Sequence, residues 1–193
     1  ADGVTISRED FYRRMADTGV IPTTSQITPY AYEERFQAAR ETGDEVVCIT
    51  LSSKLSGCHQ SARIAADGAP DIHLVDSETV CIGQRILIQR AMELRKLGCS
   101  GGEITRILEV EKKSIRLIAL LDTLEYLKKG GRISPAAALA GSLLGIKPVI
   151  AIENGEVSVL GKARGSKNGN NLLTSFIEKS GGIDFSRPYA LAY

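Results

Sequence analysis

The chain predicts an α/β protein of two domains, a parallel, Rossmann-like sheet domain followed by a second α/β domain with a mixed or antiparallel sheet. Three observations carry that expectation. Short β-branched runs alternate with helical patterns over residues 46–97, and such alternation needs crossover connections, hence parallel strands. After Gly98 the alternation gives way to a capped helix, a single strand and a glycine-rich basic stretch. Asn154-Gly155 then stands between alternating apolar residues, which is the signature of an antiparallel hairpin. The change of strand sense sets the expected domains at residues 1–113 and 114–193.

Each element has its own signal. Ser7-Arg8-Glu9-Asp10 opens a helix with a serine cap and acids in its first turn; Phe11, Tyr12 and Met15 give it an apolar face, and it ends near Gly19. Pro29 starts a second helix, with Tyr32, Phe36 and Ala39 at spacings of four and three. Val46–Leu51 reads as a buried strand, Ser56–Ala66 as a helix, Ile72–Val75 as a strand and Val80–Leu97 as a long helix. Ser100 with Glu103 resembles a capping box opening the helix Glu103–Lys112. The strand Ser114–Leu121, a small-residue helix Pro135–Leu144 and the hairpin Lys147–Leu160 complete the pattern. The chain begins without an initiator Met, and Arg187–Tyr193 reads as a strand with no continuation, so both ends read as those of a fragment.

Composition excludes several classes. With 193 residues, 43% hydrophobic and 24% charged, the chain can bury an ordinary core, and disorder is not expected. Net charge is +1; seven basic residues face two acidic ones between Lys128 and Lys167, too few and with too few aromatic residues for a nucleic-acid footprint. Cys48, Cys58, Cys81 and Cys99 lack metal-binding spacing, which argues against structural zinc and for a reducing, cytoplasmic setting. No apolar stretch reaches the 18 residues or so of a membrane span, so a soluble protein is expected.

Two hydroxyl-rich segments stand out: Thr23-Thr24-Ser25-Gln26, between the first two helices, and Ser52-Ser53-Lys54-Leu55-Ser56-Gly57, between a strand and a helix start. A strand, a Ser/Gly turn and a helix N-terminus make an anion site, and in parallel sheets ligands bind beyond the carboxyl ends of the strands. Neither segment holds a strong base, a metal cluster or an activated nucleophile, so the chemistry is binding. Each residue also has a plainer reading. Thr24 and Ser25 could cap the second helix, Ser56 and Gly57 the third, and Gly130-Gly131-Arg132 could be a helix C-cap with a solvated arginine. Alternatively, Arg132 aims a guanidinium at a carboxylate or phosphate. Cys58 and His59 are neighbours that diverge by about 100° on a helix and so form no preformed nucleophile–base pair. His73 reads as a core or edge residue of its strand.

Taken together these segments resemble the DegV family of two-domain α/β proteins that bind long-chain fatty acids. The matching pieces are Thr24-Ser25-Gln26, Ser52-Ser53 with Leu55-Ser56-Gly57 and Gln60-Ser61-Ala62, Val75-Asp76-Ser77, Leu127-Lys128-Lys129-Gly130-Gly131-Arg132-Ile133, Ile146-Lys147-Pro148 and Lys162-Ala163-Arg164-Gly165. The family's opening strand and C-terminal portion have no counterpart, and Cys58-His59 stand where the family more often has Thr and Tyr. The resemblance implies that Thr24 and Ser56 hydrogen-bond a fatty-acid carboxylate while Ser25, Ser53 and Gly57 shape the cradle. Arg132 matches an arginine that acts near the head group or in presenting it to a kinase. It implies a non-catalytic carrier with no metal and no cofactor besides the bound fatty acid, whose partner is a fatty acid kinase.

Burying a methylene is worth about 0.8 kcal/mol, so about fifteen carbons supply on the order of 10 kcal/mol before ordering costs. Affinity is then expected from the tail, lined by the helix around Ile82–Leu94 and by Pro135–Leu144, and orientation from the hydroxyls. Two other readings compete: a hydrolase or small-molecule kinase using Ser56, and an interaction module using the basic stretch Lys128–Lys167.

Overall fold

Three of the described α-helices begin at a residue whose side chain caps them. Ser7 is extended and its hydroxyl accepts the Asp10 amide at 3.1 Å, capping α1 (Arg8–Thr18), which ends at Gly19 in the left-handed region at φ 65°. Helix α2 (Pro29–Glu41) starts on its proline as expected, and its cap is Thr28, whose Oγ1 accepts the Ala31 amide at 3.3 Å. Thr24 and Ser25 are therefore not its caps. The computed structural model describes residues 5–134 and 145–192, so the expected helix Pro135–Leu144 lies outside the described residues.

Strand β1 (Val46–Thr50) pairs in parallel with β2 (Ile72–Asp76), Val46 opposite Ile72 and Thr50 opposite Asp76, and α3 (Cys58–Ala66) makes the crossover. Alternation along the strands divides their side chains. Val47, Ile49 and Val75 pack with Leu87 and Leu94 of α4 (Cys81–Lys96) and with Ile104 and Leu108 of α5 (Gly101–Glu111). Val46, Cys48, Ile72 and Leu74 pack with Phe36, Ala62 and Ala66. A sheet covered on both faces has no solvated side, which is why its strands read as unbroken apolar runs. Ser100 and Glu103 form the expected capping box at α5, the Ser100 amide reaching the Glu103 carboxylate at 2.9 Å.

A 3-10 turn over Lys112–Ser114 delays β3 to Leu117–Leu120, three residues later than the sequence pattern suggests. Strands β4 (Ile146–Glu153) and β5 (Glu156–Arg164) form the expected hairpin, with Asn154 at φ 51° and Gly155 at φ 82°, the positive angles of a type I′ turn. The antiparallel order is β3-β4-β5, with a register shift between Val149 and Ile150. Leu124, just ahead of α6 (Glu125–Lys129), joins Ile133 and Ile150 in a third core. Helix α7 (Gly165–Lys179), which the sequence reading missed, lies on this sheet so closely that a Cβ on Gly169 would stand 2.9 Å from Leu120. The expected C-terminal strand is absent: residues 187–192 have no regular structure, and Tyr189 and Leu191 are exposed. Apolar alternation alone does not make a strand where no neighbouring edge takes up its amides and carbonyls, and Pro188 lacks an amide to offer.

The loop from β2 to α4 is pinned from beneath by Lys112. Its buried ammonium donates to the Asp76 carbonyl at 2.9 Å and pairs with Glu78 at 2.8 Å and Glu109 at 2.7 Å. Burial alone would lower its pKa, but the two carboxylates outweigh burial and raise it. At the other end of the loop Thr79 is wedged against α4: a Cβ on Gly83 would lie 2.3 Å from Thr79 Oγ1. Alanine at Gly83 should thus destabilise the protein by about 1–2 kcal/mol in urea unfolding, although it is the better helix former by about 1 kcal/mol; a stabilised G83A would refute the wedge. Asp76 supplies a pH test. Burial opposes its ionisation, yet hydrogen bonds from Ser53 and from the Glu78 amide, with His59 nearby, outweigh burial and hold its carboxyl below the ordinary 3.8. A depressed carboxyl contributes stability above its unfolded value and loses it as pH falls through the folded one. The destabilisation of Asp76→Asn should therefore be greatest near neutrality and shrink below pH 3.8, measured by urea unfolding across that range.

Candidate functional site

Parallel strands end together, and the turn beyond β1 is where the candidate residues meet. Ser52 is fully buried. Its amide donates to Thr79 O at 2.9 Å, its carbonyl accepts the Leu55 and Ser56 amides at 3.0 and 3.1 Å, and its hydroxyl donates to Gly155 O at 2.6 Å. That last bond brings the tip of the β4–β5 hairpin onto the turn, and Lys54 Nζ lies 3.5 Å from Glu156 beside it.

Ser56 precedes α3, whose first flanking residue is Gly57 and which has no side-chain cap. The Ser56 hydroxyl accepts the Cys58 amide at 3.2 Å. A hydroxyl has one proton and two lone pairs, so this contact occupies a lone pair, leaves the proton free for an anion and polarises it in the right sense. Ser53 is different: its amide donates to Asp76 Oδ1 at 3.1 Å, as does the amide of Glu78, so the Ser53 amide is already committed. Its side chain remains exposed.

The Thr24 loop lies against this turn. Gln26 donates from Nε2 to Ser61 Oγ at 3.1 Å, and the Ile27 amide donates to Cys58 Sγ at 3.4 Å. Gln26 also lies across Gly57 so closely that a Cβ there would be 1.6 Å from its Oε1. Gly57 has an ordinary φ of −73°, so close approach and not backbone angle calls for glycine. Thr24 and Ser25 are exposed, and their side chains make no hydrogen bond to the described residues.

Arg132 arrives from the second sheet's side. Gly131 at φ 72° is the left-handed residue of a Schellman cap on α6: its amide reaches Lys128 O at 3.0 Å, and that of Arg132 reaches Leu127 O at 2.9 Å. The plain C-cap reading of Gly130-Gly131 thus holds, but the arginine is not merely solvated. Its Nε donates to Leu55 O at 3.1 Å and its Nη1 to Gly130 O, leaving further guanidinium donors beside the residue that precedes Ser56. Thr24, Ser25, Ser53, Ser56, Gly57 and Arg132 thus belong to three segments, of which the Thr24 loop and the Arg132 segment each touch the stretch from Ser52 to the start of α3. Ser52 and Gln26, which hold the turn and the loop, were not anticipated as holding residues; their only sequence signal was membership of the same hydroxyl-rich segments.

No histidine stands as a base at Ser56 among the described residues. His59 Nδ1 is 3.0 Å from Thr50 Oγ1, and among the described residues no ring nitrogen hydrogen-bonds Ser56. Burial pushes the Cys48 thiol up to about 11, far from a reactive thiolate. His73 packs on Gly101, with its buried Nε2 3.9 Å from Glu45 and without a hydrogen bond, so it is an edge residue only partly satisfied. No group of three or more His, Cys, Asp or Glu able to hold a metal occurs among the described residues.

A cavity of about 960 Å³ opens between α4, β3 and residues 177–191, lined by Ile82, Ile86 and Leu87 on one side and by Ile115, Leu117 and Ile177 on the other. Its volume falls at the top of the range of about 300–1,000 Å³ typical of small-molecule pockets. None of the six candidate head-group residues lines it. Gly83 does, and the contacts from Gly83 to Thr79 and from Thr79 to Ser52 connect its wall to the turn. No helix among the described residues is long and apolar enough to cross a membrane.

Comparison with known proteins gives this arrangement a context. A DegV domain-containing protein of Caldanaerobacter subterraneus is 36% identical over 187 residues, covering 96% of this chain and 66% of the relative. The fatty-acid-binding DegV family protein of Thermus thermophilus superposes with a TM-score of 0.81 at 32% identity, over 91% of this chain and 63% of that one. The Streptococcus pneumoniae fatty acid kinase (Fak) B3 protein, loaded with linoleic acid, superposes with a TM-score of 0.80 at 25% identity, over 92% and 64%. The chain thus spans just under two thirds of the length of the proteins it matches. The family model described as "Uncharacterised protein, DegV family" matches residues 1–185, almost the whole sequence, and with the shared α/β fold it establishes that this chain belongs to the DegV family.

Proposed function

We propose that this protein is a non-catalytic carrier of a long-chain fatty acid, with the carboxylate held by the hydroxyls of Thr24 and Ser56. Ser25, Ser53 and Gly57 shape the cradle and Arg132 stands at its edge. The observation that carries the reading is the seating of the Thr24 loop on the Ser56 turn through the Gln26–Ser61 and Ile27–Cys58 hydrogen bonds. Two loops that touch can offer hydroxyl protons to one carboxylate, and the N-terminus of α3 beside them favours negative charge. The fatty-acid binding named for the Thermus neighbour and the linoleic acid carried by the Streptococcus one support the ligand class.

On this reading the two halves of the chain, residues 1–113 and 114–193, meet at the ligand. The head group lies at the loops, and the hollow along α4, walled from both halves by apolar residues with charged ones such as Arg90, Glu111 and Arg116 among them, is the candidate for the alkyl chain. The tail supplies most of the binding free energy, on the order of 10 kcal/mol before ordering costs. A bound carboxylate whose oxygens face neutral donors remains an anion ready for a partner. The streptococcal neighbour, a fatty acid kinase B protein, supports the further proposal that the carrier presents this group to a fatty acid kinase for phosphorylation, with Arg132 at the exposed edge.

The competing hydrolase reading requires a base at Ser56, and the only histidine on α3 is engaged with Thr50. Mass spectrometry of a denatured extract of the purified protein should release a fatty acid in near-stoichiometric amount. In calorimetric titration of delipidated protein with linoleic acid, Thr24→Val and Ser56→Ala should each weaken binding about tenfold, the low end expected for a hydrogen bond to a charged group. Both variants should remain folded by circular dichroism. Wild-type affinity in both, or a purified protein free of lipid that takes up none, would refute the reading.

A further inference from the structure

Cys58 takes no part in the proposed contact with the ligand, yet it stands between the two residues that do. Its own amide donates to the Ser56 hydroxyl at 3.2 Å, and its sulfur accepts the Ile27 amide at 3.4 Å. One residue therefore orients one hydroxyl directly and ties down the backbone that carries the other. The thiol is buried, and Tyr32 from α2 lies beside it. The Ile27 amide precedes the Thr28 cap of α2, so it falls outside the helix's own hydrogen bonding, and the sulfur is the acceptor it finds. The remaining link between the loop and α3 is the side-chain amide of Gln26, a long group on an exposed residue. The backbone contact to a buried sulfur is the stiffer of the two, because it leaves no side-chain torsion free on the loop side.

From this geometry we infer that Cys58 is a positioning residue for the fatty-acid carboxylate: its sulfur clamps the Thr24–Ile27 loop to the Ser56 turn, so that Thr24 and Ser56 present their protons as a pair. The inference rests on the carrier reading for its ligand, but the clamp itself is a contact within the chain. A sulfur accepts weakly, so the clamp closes the loop without locking it, and an oxygen in its place should serve as well or better. Serine at this position keeps an acceptor of similar reach; alanine removes it while leaving the Cys58 backbone amide on Ser56.

The test combines loop exchange with ligand affinity. In delipidated protein, amide hydrogen exchange over residues 24–27 should quicken about tenfold in Cys58→Ala and stay near wild type in Cys58→Ser, with exchange in β1 and β2 unchanged in both. Calorimetric titration with linoleic acid should show about a fivefold loss of affinity in Cys58→Ala and recovery to within twofold in Cys58→Ser. In a Thr24→Val background the alanine change should cost little further affinity, since the loop then lacks the hydroxyl that the clamp pairs with Ser56. Unaltered loop exchange in Cys58→Ala, or an equal loss of affinity with and without Thr24, would overturn the clamp. Loop exchange that quickens as expected in a protein that never binds linoleic acid would uphold the clamp and refute the carrier reading instead.

Discussion

The turn after β1 hangs on a single buried serine. Ser52 has every polar group engaged: amide to Thr79, carbonyl to Leu55 and Ser56, hydroxyl proton to Gly155, and a lone pair to the Lys54 amide at 3.3 Å. A fully buried hydroxyl left unpaired would be costly, and one bonded on all sides leaves a single geometry for the chain around it. From that geometry follow the direction in which Ser56 enters α3, the path of the β2–α4 loop through Thr79, and the docking of the hairpin from the antiparallel sheet. The candidate head-group site is what remains exposed once these bonds are made.

The site favours an anion without using a full positive charge at its centre. Hydroxyl protons, the start of α3 and the unused donors of Arg132 are partial or peripheral charges, while the turn itself carries Lys54, drawn toward Glu156 at 3.5 Å, and is met at the end of β2 by the negative Asp76. Its charge is answered by hydrogen bonds from Ser53 and from the Glu78 amide, with His59 nearby. The fold thus isolates a carboxylate beside the candidate cradle, where it would otherwise repel the anionic ligand proposed above. A weakly electropositive cradle suits a carrier: neutral donors orient a carboxylate without adding much to the affinity that an alkyl chain already provides. Release to a partner then stays possible.

Several features were legible where a residue acts on neighbours within four positions. The Ser7 and Ser100 caps, Pro29 at the head of α2, and the Asn154-Gly155 turn were all read from the sequence because each satisfies or shapes the backbone next to it. The misreadings have the same root. Thr24 and Ser25 resembled caps because cap chemistry is generic, and only the path of the chain shows that Thr28 does that work. The Arg187–Tyr193 stretch has strand-like residues, but a strand exists only by virtue of a partner edge, and α7 was obscured by the glycine and asparagines of its first two turns.

By itself, the sequence determined the alternation that calls for a parallel sheet, the hairpin that ends it, and the two hydroxyl-bearing segments, since these depend on side-chain period and turn chemistry that act over a few residues. Only the tertiary structure decided that those segments touch. The Ser52–Gly155 bond joins groups 103 residues apart and the Arg132–Leu55 bond groups 77 apart, and the burial of Lys112 depends on acceptors from β2, from the β2–α4 loop and from α5. Such contacts have no local signature, because the free energy that selects them comes from burying whole faces of helices and sheets, and the polar groups pair with whatever that burial brings within reach.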